Sequence, residues 1–548
     1  MRNPKIGVVT LGCPKNATDT EVMLGLLNEA GFQVTFDSDD AEMCLVNTCS
    51  FIGDARKESV RTLVELADAG KELIIAGCLA QHFKEELLTE IPEARAVVGT
   101  GDIYKIVDVI KSVAADSSLR VVEVSDVPND YSDEVLPRML TGVGASAYLK
   151  IAEGCDHTCS FCIIPMLRGK FRSRSIESLV KEARILVKSG VREIILVSQD
   201  STYYGLDLYG KLALPELLEA LNEIEELAWI RVMYFYPTET TDEILHAINR
   251  LDKVVKYVDI PLQHSHPEVL KSMLRPLHPE KVMDRVRAIC PTAKIRSTFI
   301  VGFPGETEEH FEHLMAFVEK YRFDRLGVFT YSKQVEVPSG LMPDQVPEKV
   351  KKARRGKLMK LQHGISTELN QAMVGTEIDV IIERFDETKN VYIGRSQWDA
   401  PEVDNLVYVK DTDDSLVEMA EIARVRIDEA KPYDLFGTAV DIENACATAC
   451  NASSSATSDG ASKAVLESKI ASEAHSVRTP VVASKRKNSA KADSTTASDK
   501  AKSAVRHAKA KATTGDAKTT ASSCDSACEG EKEVSNDGKK YLSFTVSQ

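Results

Sequence analysis

The chain has 548 residues, 12 cysteines and a formal net charge of −15, a length that allows three or four domains of about 150 residues each. Its first apolar run, residues 6–10, is too short for a secretory signal, and no later stretch reaches the roughly 20 apolar residues that cross a bilayer. The sequence therefore predicts a cytoplasmic protein without a membrane segment, whose cysteines serve metal or redox chemistry rather than disulfides.

Residues 1–135 alternate short apolar runs with helical patterns. Strands are predicted at 6–10, 43–47 and 72–77, and helices at 16–30 and 54–69. This alternation is typical of a small α/β domain with a parallel sheet.

The alternation of strands and helices resumes in residues 140–373. Helices are predicted at 176–189, 214–226, 239–250 and 308–321, and a long basic helix at 347–374 closes the domain. Six βα units indicate a partial (βα)6 barrel rather than the closed form with eight units. Its strands are predicted at 147–151, 193–198, 230–236, 257–260, 294–301 and 326–331.

The C-terminal part of the chain consists of a segment rich in predicted strands followed by a segment of low complexity. Residues 374–440 are rich in short alternating strands, at 377–382, 391–393 and 406–409, which predicts a small antiparallel β-barrel. Residues 441–548 are dominated by Ala, Ser, Thr and Lys, with almost no aromatic residues, and are predicted to be a disordered tail.

The strongest motif is three cysteines within eight residues, Cys155, Cys159 and Cys162, placed directly after the first predicted barrel strand. Barrel enzymes carry their chemistry at this end of the strands. Three thiolates can hold a four-iron cluster and leave one iron open to a small-molecule chelate, which can receive an electron there. The alternative is a structural zinc site with an additional ligand such as His157.

Three further cysteines are dispersed along the N-terminal domain. Cys13, Cys49 and Cys78 each follow a predicted strand. In a parallel sheet these positions meet at the carboxyl edge, where open α/β sheets bind ligands. The sequence thus predicts a second iron–sulfur site with an open iron, and the alternative is three buried thiols that act as small hydrophobic residues.

The segments that carry these cysteines resemble a known family. Residues 154–165 with Arg168 and Gly169 are similar to the signature of radical S-adenosylmethionine (SAM) enzymes of the methylthiotransferase family. Residues 10–16, 47–49 and 76–78 are similar to that family's N-terminal domain. The resemblance spans residues 5–437 and implies three domains, of which the last is TRAM-like.

The resemblance implies two 4Fe-4S clusters and SAM as cofactors. In that family the barrel cluster cleaves SAM to a 5′-deoxyadenosyl radical, the N-terminal cluster handles the sulfur, and a second SAM supplies the methyl group. Because the cofactors carry this chemistry, no catalytic acid or base is singled out. The resemblance also implies a SAM pocket at the barrel mouth, in which Arg296 is available to the methionine carboxylate. The residues assigned to this pocket are Phe161, Ser198, Gln199, Gln263, Arg296 and Gly302.

The family modifies either adenosine in transfer RNA or an aspartate of ribosomal protein uS12. Residues 374–437 contain sixteen Asp and Glu against seven Lys and Arg, a balance that suits a basic protein better than RNA. Residues 394–404 and 344–348 are similar to the branch that acts on the ribosomal protein, whereas residues 334–339 and the tail depart from the family pattern.

The favoured hypothesis is therefore methylthiolation at the β-carbon of an aspartate in uS12, free or within the small subunit. The enzyme is predicted to act as a monomer, with a low-potential electron donor such as flavodoxin or ferredoxin. Two alternatives remain at this point: a tRNA adenosine methylthiotransferase, and a zinc-stabilised ribosome-binding adaptor.

Overall fold

The computed structural model describes residues 4–126, 135–142, 144–412 and 416–440. The predicted tail, residues 441–548, lies outside the described residues, as does the segment next to the predicted boundary at 135. None of the helices within the described ranges is both long and apolar enough to span a membrane.

The N-terminal domain is a parallel sheet in the order β2-β1-β3-β4-β5-β6. Its central strand β3 is buried along its whole length, as expected where helices cover both faces of a parallel sheet. The three predicted strands are confirmed, and β2, β5 and β6 were not predicted. The strands are β1 Ile6–Thr10, β2 Val34–Thr35, β3 Met43–Thr48, β4 Glu72–Gly77, β5 Ala94–Val98 and β6 Val121–Glu123. The helices are α1 Pro14–Glu29, α2 Gly53–Asp68, α3 Cys78–Phe83, α4 Glu86–Glu90 and α5 Ile106–Ala115, with a 3-10 turn at Ile103–Lys105.

The second domain contains six principal parallel strands in two groups, β7-β10-β11 and β12-β13-β14. A parallel bridge between Ile230 and Val254 joins the groups into a partial barrel, so the six predicted strands and the barrel are confirmed. A short antiparallel pair, β8 and β9, lies outside this order. The strands are β7 Ser146–Lys150, β8 Ala152–Glu153, β9 Arg172–Ser173, β10 Glu193–Val197, β11 Trp229–Val232, β12 Tyr257–Asp259, β13 Lys294–Val301 and β14 Arg325–Thr330.

The helices of the second domain pack their apolar faces against the outside of the strands and form the largest core of the protein. The four shorter helices and the long closing helix predicted from the sequence are all present, as α7, α9, α10, α13 and α14. The helices are α6 Ile164–Arg168, α7 Ile176–Lys188, α8 Leu206–Tyr209, α9 Leu214–Asn222, α10 Asp242–Arg250, α11 Pro267–Ser272, α12 Pro279–Ile289, α13 Glu308–Tyr321 and α14 Glu348–Gln371, with 3-10 turns at Ser201–Tyr203 and Pro338–Leu341.

The third domain is a closed barrel in the order β15-β16-β17-β19-β18. The predicted barrel is confirmed, but its wholly antiparallel form is wrong, because β17 and β19 are parallel. The reason is geometric: a ring with an odd number of strands cannot close with every pair antiparallel. The strands are β15 Glu377–Asp386, β16 Val391–Ser396, β17 Leu406–Lys410, β18 Ile422–Ala430 and β19 Asp434–Ala439.

The third domain packs against the amino-terminal ends of the partial-barrel strands. Arg395 is central to this contact, because it bonds to Ser146 and Glu193, the first residues of β7 and β10. Burial alone would raise the pKa of Glu193, but the guanidinium groups of Arg395 and Arg231 outweigh it and lower the pKa to about 2. Asp399 binds Arg325 at the start of β14 in the same way. The carboxyl ends of the barrel strands are therefore at the opposite end from the third domain.

Candidate active site

Cys13, Cys49 and Cys78, the first cysteine set, follow β1, β3 and β4, which are neighbours in the sheet. Cys13 caps the start of α1, and Cys78 is the first residue of α3. Gly12 has a φ of +101°, and a Cβ at this position would lie 2.9 Å from the Cβ of Cys49. The loop after β1 therefore lies directly against Cys49, and the set is held at one edge of the sheet as predicted.

Asn16 connects the loops of this set. Its Nδ2 donates to the carbonyl of Leu11 at 2.9 Å and to that of Thr48 at 3.0 Å, so it joins the residue preceding Cys49 to the loop that carries Cys13. The Sγ of Cys78 lies 3.9 Å from the Oδ1 of the same side chain. A single buried amide thus fixes the relative positions of the cysteine-bearing turns.

Burial raises the pKa of Cys78 to about 12, although the guanidinium group of Arg168 acts in the opposite direction. Burial also raises the pKa of Cys49, and the neighbouring Cys13 adds to this. Thiols in such a site ionise when a metal binds, because the cation replaces the lost hydration of the thiolate. Three convergent thiols with a nearby cation fit a four-iron cluster that leaves one iron without a protein ligand.

Cys155, Cys159 and Cys162, the second cysteine set, lie in the loop between β8 and β9. The antiparallel pairing of these strands brings the ends of the loop together. Gly154 has a φ of +83°, and a Cβ there would lie 2.0 Å from the carbonyl oxygen of Lys170. Only glycine fits this close approach, which closes the loop around the three thiols.

The thiols of the second set share a partly buried environment. Burial raises the pKa values of Cys155 and Cys162 to about 12 each. The Nη1 of Arg275 lies 3.8 Å from the Sγ of Cys159, and its guanidinium group stacks on Tyr236 at 4.1 Å from the ring centroid. A cation next to cysteine thiolates favours their ionised form, so this set also fits a cluster held by three cysteines.

His157, the additional ligand of the zinc alternative, contacts residues at the carboxyl ends of the barrel strands. Its Nε2 lies 2.6 Å from the Oδ2 of Asp200, and its ring stacks on Tyr236 with a centroid distance of 3.6 Å. The imidazole is therefore engaged on the barrel side of the loop.

Arg168 connects the two cysteine sets. It follows the second set by six residues, yet its Nη2 reaches Asn16 of the N-terminal domain at 2.7 Å and Asp19 at 3.2 Å. Its Nη1 bonds to both carboxylate oxygens of Glu153, at 2.8 and 2.9 Å. Lys150 pairs with the same two carboxylates, Asp19 and Glu153. These two cations and two carboxylates form a buried network, which we call the interdomain charge network.

The loop after β14 contacts both cysteine sets. Val337 packs in one small apolar cluster with Cys78, Ile163 and Leu167, and Ile163 directly follows Cys162. The Oε1 of Gln334 accepts a hydrogen bond of 2.8 Å from Arg56 of the N-terminal domain. This loop, residues 334–339, is the segment whose sequence departs from the family pattern, and it packs against Cys78 of the first set and the residue that follows Cys162 of the second.

Most residues predicted for the SAM pocket lie near the carboxyl ends of the barrel strands. Ser198 directly follows β10, and Gly302 directly follows β13. Gln263 follows β12 with an unusual φ of +72°, and Phe161 packs beside the second set in a small apolar cluster. Gln199 donates to Glu153 at 2.8 Å, while its buried Oε1 has no hydrogen-bond partner among the described residues.

Arg296 differs from this group. It is the third residue of β13, far from the carboxyl end of that strand, and it pairs with Asp259 at 3.0 Å and with Asp404 of the third domain at 3.3 Å. A methionine carboxylate would have to compete with both carboxylates. Its role in SAM binding remains a prediction that these contacts do not support.

Three family models match the chain. The Radical SAM superfamily model matches residues 149–318, the Uncharacterized protein family UPF0004 model residues 5–99, and the TRAM domain model residues 374–440. The matches coincide with the partial barrel, the N-terminal sheet and the closed barrel. Each cysteine set lies inside one of these regions.

Curated relatives cover nearly the whole described chain. The ribosomal protein uS12 methylthiotransferase RimO of Prochlorococcus marinus (strain MIT 9303) is 52% identical over 450 residues, which cover 81% of this chain and 95% of the relative. The protein of the same name from Acaryochloris marina is 51% identical and covers 80% and 99%. This chain belongs to the RimO family of uS12 methylthiotransferases.

Members of the RimO family are radical SAM methylthiotransferases, so the chain is an enzyme that uses SAM and iron–sulfur clusters. Among solved structures, the radical SAM methyltransferase TsrM of Kitasatospora setae, with cobalamin and a 4Fe-4S cluster bound, is 16% identical. That match has a TM-score of 0.46 and covers 62% of this chain and 77% of that chain.

Several RimO residues at the site were missed in the sequence. Lys15 and Arg168 are buried charged residues of the two cysteine motifs, and no role was predicted for either from the sequence. Glu153 precedes the second set by two residues and was not singled out in the sequence. These residues could have been recognised as part of the site because each is a charged side chain directly beside a cysteine motif.

Proposed function

We propose that this enzyme inserts a methylthio group at the β-carbon of an aspartate in ribosomal protein uS12. The observation that carries the proposal is the pairing of two three-cysteine sets at facing domain edges in a chain that is about half identical to RimO proteins over their full length. Methylthiolation needs a hydrogen abstraction and a sulfur delivery close together. Two adjacent sets of three thiols supply a place for each.

The chain's own residues would hold and orient the reactants. Cys155, Cys159 and Cys162 would bind the cluster that meets SAM, and the first set would bind the cluster that meets the sulfur. When bound, the clusters and two SAM molecules supply the hydrogen-abstracting radical, the sulfur and the methyl group. The interdomain charge network would keep the two sets at a fixed separation, because it bonds the loop of one to the helix that begins at the other.

We propose a SAM pocket at the carboxyl ends of β10, β12 and β13. The free buried oxygen of Gln199 is an acceptor for an ammonium or hydroxyl group of the cofactor. Gly302 directly follows β13, and the side chain of Lys351 packs against it where a Cβ would lie. Phe161 offers an apolar surface next to the second set. Ser198 and Gln263 complete the proposed rim.

The acidic charge of the third domain favours a protein substrate over RNA, although this domain does not lie at the mouth of the partial barrel. Its sixteen acidic residues against seven basic ones over residues 374–437 would attract a basic ribosomal protein and repel RNA. The segment 394–404 has a second role in the fold, since Arg395, Asp399 and Asp404 bind the amino ends of the barrel strands. We place substrate recognition at the opposite end, near the cysteines.

We propose domain limits of 1–135, 140–373 and 374–440, a cytoplasmic location and action as a monomer. A low-potential donor of the flavodoxin or ferredoxin kind would supply the electron that starts the reaction.

The proposal is tested by competition between the two substrate classes. Anaerobically reconstituted enzyme is incubated with SAM, a reductant, and equal amounts of uS12 and unmodified transfer RNA. A gain of about 46 Da on uS12, the mass of SCH3 minus H, is expected, with unchanged tRNA. Modified tRNA with unchanged uS12 would show that the chain belongs functionally to the other branch.

A further inference from the structure

Lys15 extends from the N-terminal domain into the mouth of the partial barrel. It follows Cys13 by two residues, in the first turn of α1, and is 8% exposed. Its Nζ lies 3.1 Å from the carbonyl oxygen of Ser198, the residue after β10, and 3.7 Å above the ring of Tyr234, which follows β11. The ammonium group thus sits between the first cysteine set and the carboxyl ends of two barrel strands.

The ammonium group has no ionic partner in the described part of the chain. No carboxylate oxygen of these residues lies within 4.0 Å of Lys15, whereas the nearby Lys150 pairs with both Asp19 and Glu153. A buried ammonium group is costly unless it is paired, and one carbonyl and one aromatic face satisfy only part of its bonding capacity. Lys15 is therefore positioned to receive an anion.

The backbone beneath Lys15 is also unusual. Tyr234 has a φ of +63°, a left-handed conformation that is strained for a residue with a side chain and is typical of functional sites. The partly buried ring of Tyr234 lies directly beneath the Nζ of Lys15. The cation is thereby held at one place rather than left free to extend along the cleft.

We propose that Lys15 binds the side-chain carboxylate of the substrate aspartate and so positions its β-carbon for sulfur insertion. This inference rests on the proposed function. The β-carbon of aspartate is bonded directly to the carboxylate carbon, so fixing the carboxylate fixes the reacting carbon. Because Lys15 shares a rigid helical turn with Cys13, the same element would set the distance between the substrate and the first cluster.

The competing anion in this cleft is the carboxylate of SAM, and the test separates the two. Binding of uS12 to the cluster-loaded, SAM-bound enzyme is measured for wild type, Lys15→Met and Lys15→Arg. Each is measured with uS12 and with a uS12 variant in which the target aspartate is asparagine. Lys57→Met, on an exposed part of α2, is the matched control, and SAM affinity and iron content are recorded for every variant.

Lys15→Met is expected to weaken binding of uS12 by about tenfold to a hundredfold, the usual loss for a charge-assisted bond, and Lys15→Arg by less. Binding of the asparagine form should change by less than about twofold, because the charge that Lys15 recognises is already absent. Equal weakening of both uS12 forms would assign Lys15 a structural role only. A loss of SAM affinity without a difference between the two uS12 forms would show that Lys15 binds SAM instead of the substrate. Unchanged binding constants for both uS12 forms and for SAM would also overturn the inference. Failure of the wild-type enzyme to modify uS12 would instead reject the proposed function.

Discussion

The substitution Arg168→Met tests whether the interdomain charge network holds the two cysteine sets together. Methionine keeps much of the apolar stem of Arg168 but removes the guanidinium group. That group makes bonds of 2.7 and 3.2 Å to the N-terminal domain and of 2.8 and 2.9 Å to Glu153, and the side chain is 1% exposed. The variant leaves Lys150 as the one cation of the network facing two carboxylates.

The expected cost follows from the unbalanced charge. Breaking a buried ion pair by removal of one partner typically costs about 3–5 kcal/mol, because the remaining charge stays out of water. An exposed pair gives the contrast: Arg322 and Glu368 have side chains that are 43% and 69% exposed. Arg322→Met should cost less than about 1 kcal/mol.

Native-state hydrogen exchange measures this cost locally, which suits a protein with several domains. Amides of α1 and α6 should exchange about a hundredfold faster or more in Arg168→Met, since each factor of ten corresponds to about 1.4 kcal/mol. The second substitution Asp19→Asn should recover part of the loss because it restores the charge balance. Similar exchange in Arg168→Met and Arg322→Met would refute the network as the link between the two sets.

Three further predictions address the cysteine sets and the domain contact. Cys159→Ala should abolish SAM cleavage, whereas Cys49→Ala should retain cleavage without sulfur insertion; equal loss of 5′-deoxyadenosine in both would contradict the division of roles. Gly154→Ala should lower bound iron by about half, because the added Cβ overlaps the Lys170 carbonyl, and full iron content would exclude this. The lowered pKa of Glu193 predicts about 3 kcal/mol of stability that is present above pH about 4.5 and lost towards pH about 2. Acid unfolding followed by exchange of β10 should show this loss in wild type and a smaller pH dependence in Glu193→Gln.

The first cysteine set could be predicted because its signal is local. Each cysteine follows an apolar run that ends in a turn, and the carboxyl ends of parallel strands share one edge. The sequence did not give the strand order, yet β1, β3 and β4 proved to be neighbours. Any order that kept the three strands adjacent would have brought the thiols together, so the prediction did not depend on knowing the exact strand order.

The contacts between domains could not be predicted, because they depend on how separately folded surfaces meet. Nothing local to Arg168 indicates that it bonds to Asn16, 152 positions earlier in the chain. Arg296 was placed at the barrel mouth because it stands in the same strand as Gly302. Its position near the start of β13 instead brings its side chain to Asp259 and Asp404, far from the carboxyl end of the strand.

The transfer of a methylthio group to an aspartate of uS12 by this enzyme is expected to require both cysteine-held clusters. Its most direct test is mass spectrometry of uS12 after reaction with SAM that carries a CD3 methyl group. A gain of about 49 Da, SCD3 minus H, is expected on one aspartate with the wild-type enzyme, and no gain is expected with Cys49→Ala. Unmodified uS12, or a gain that persists in Cys49→Ala, would contradict it.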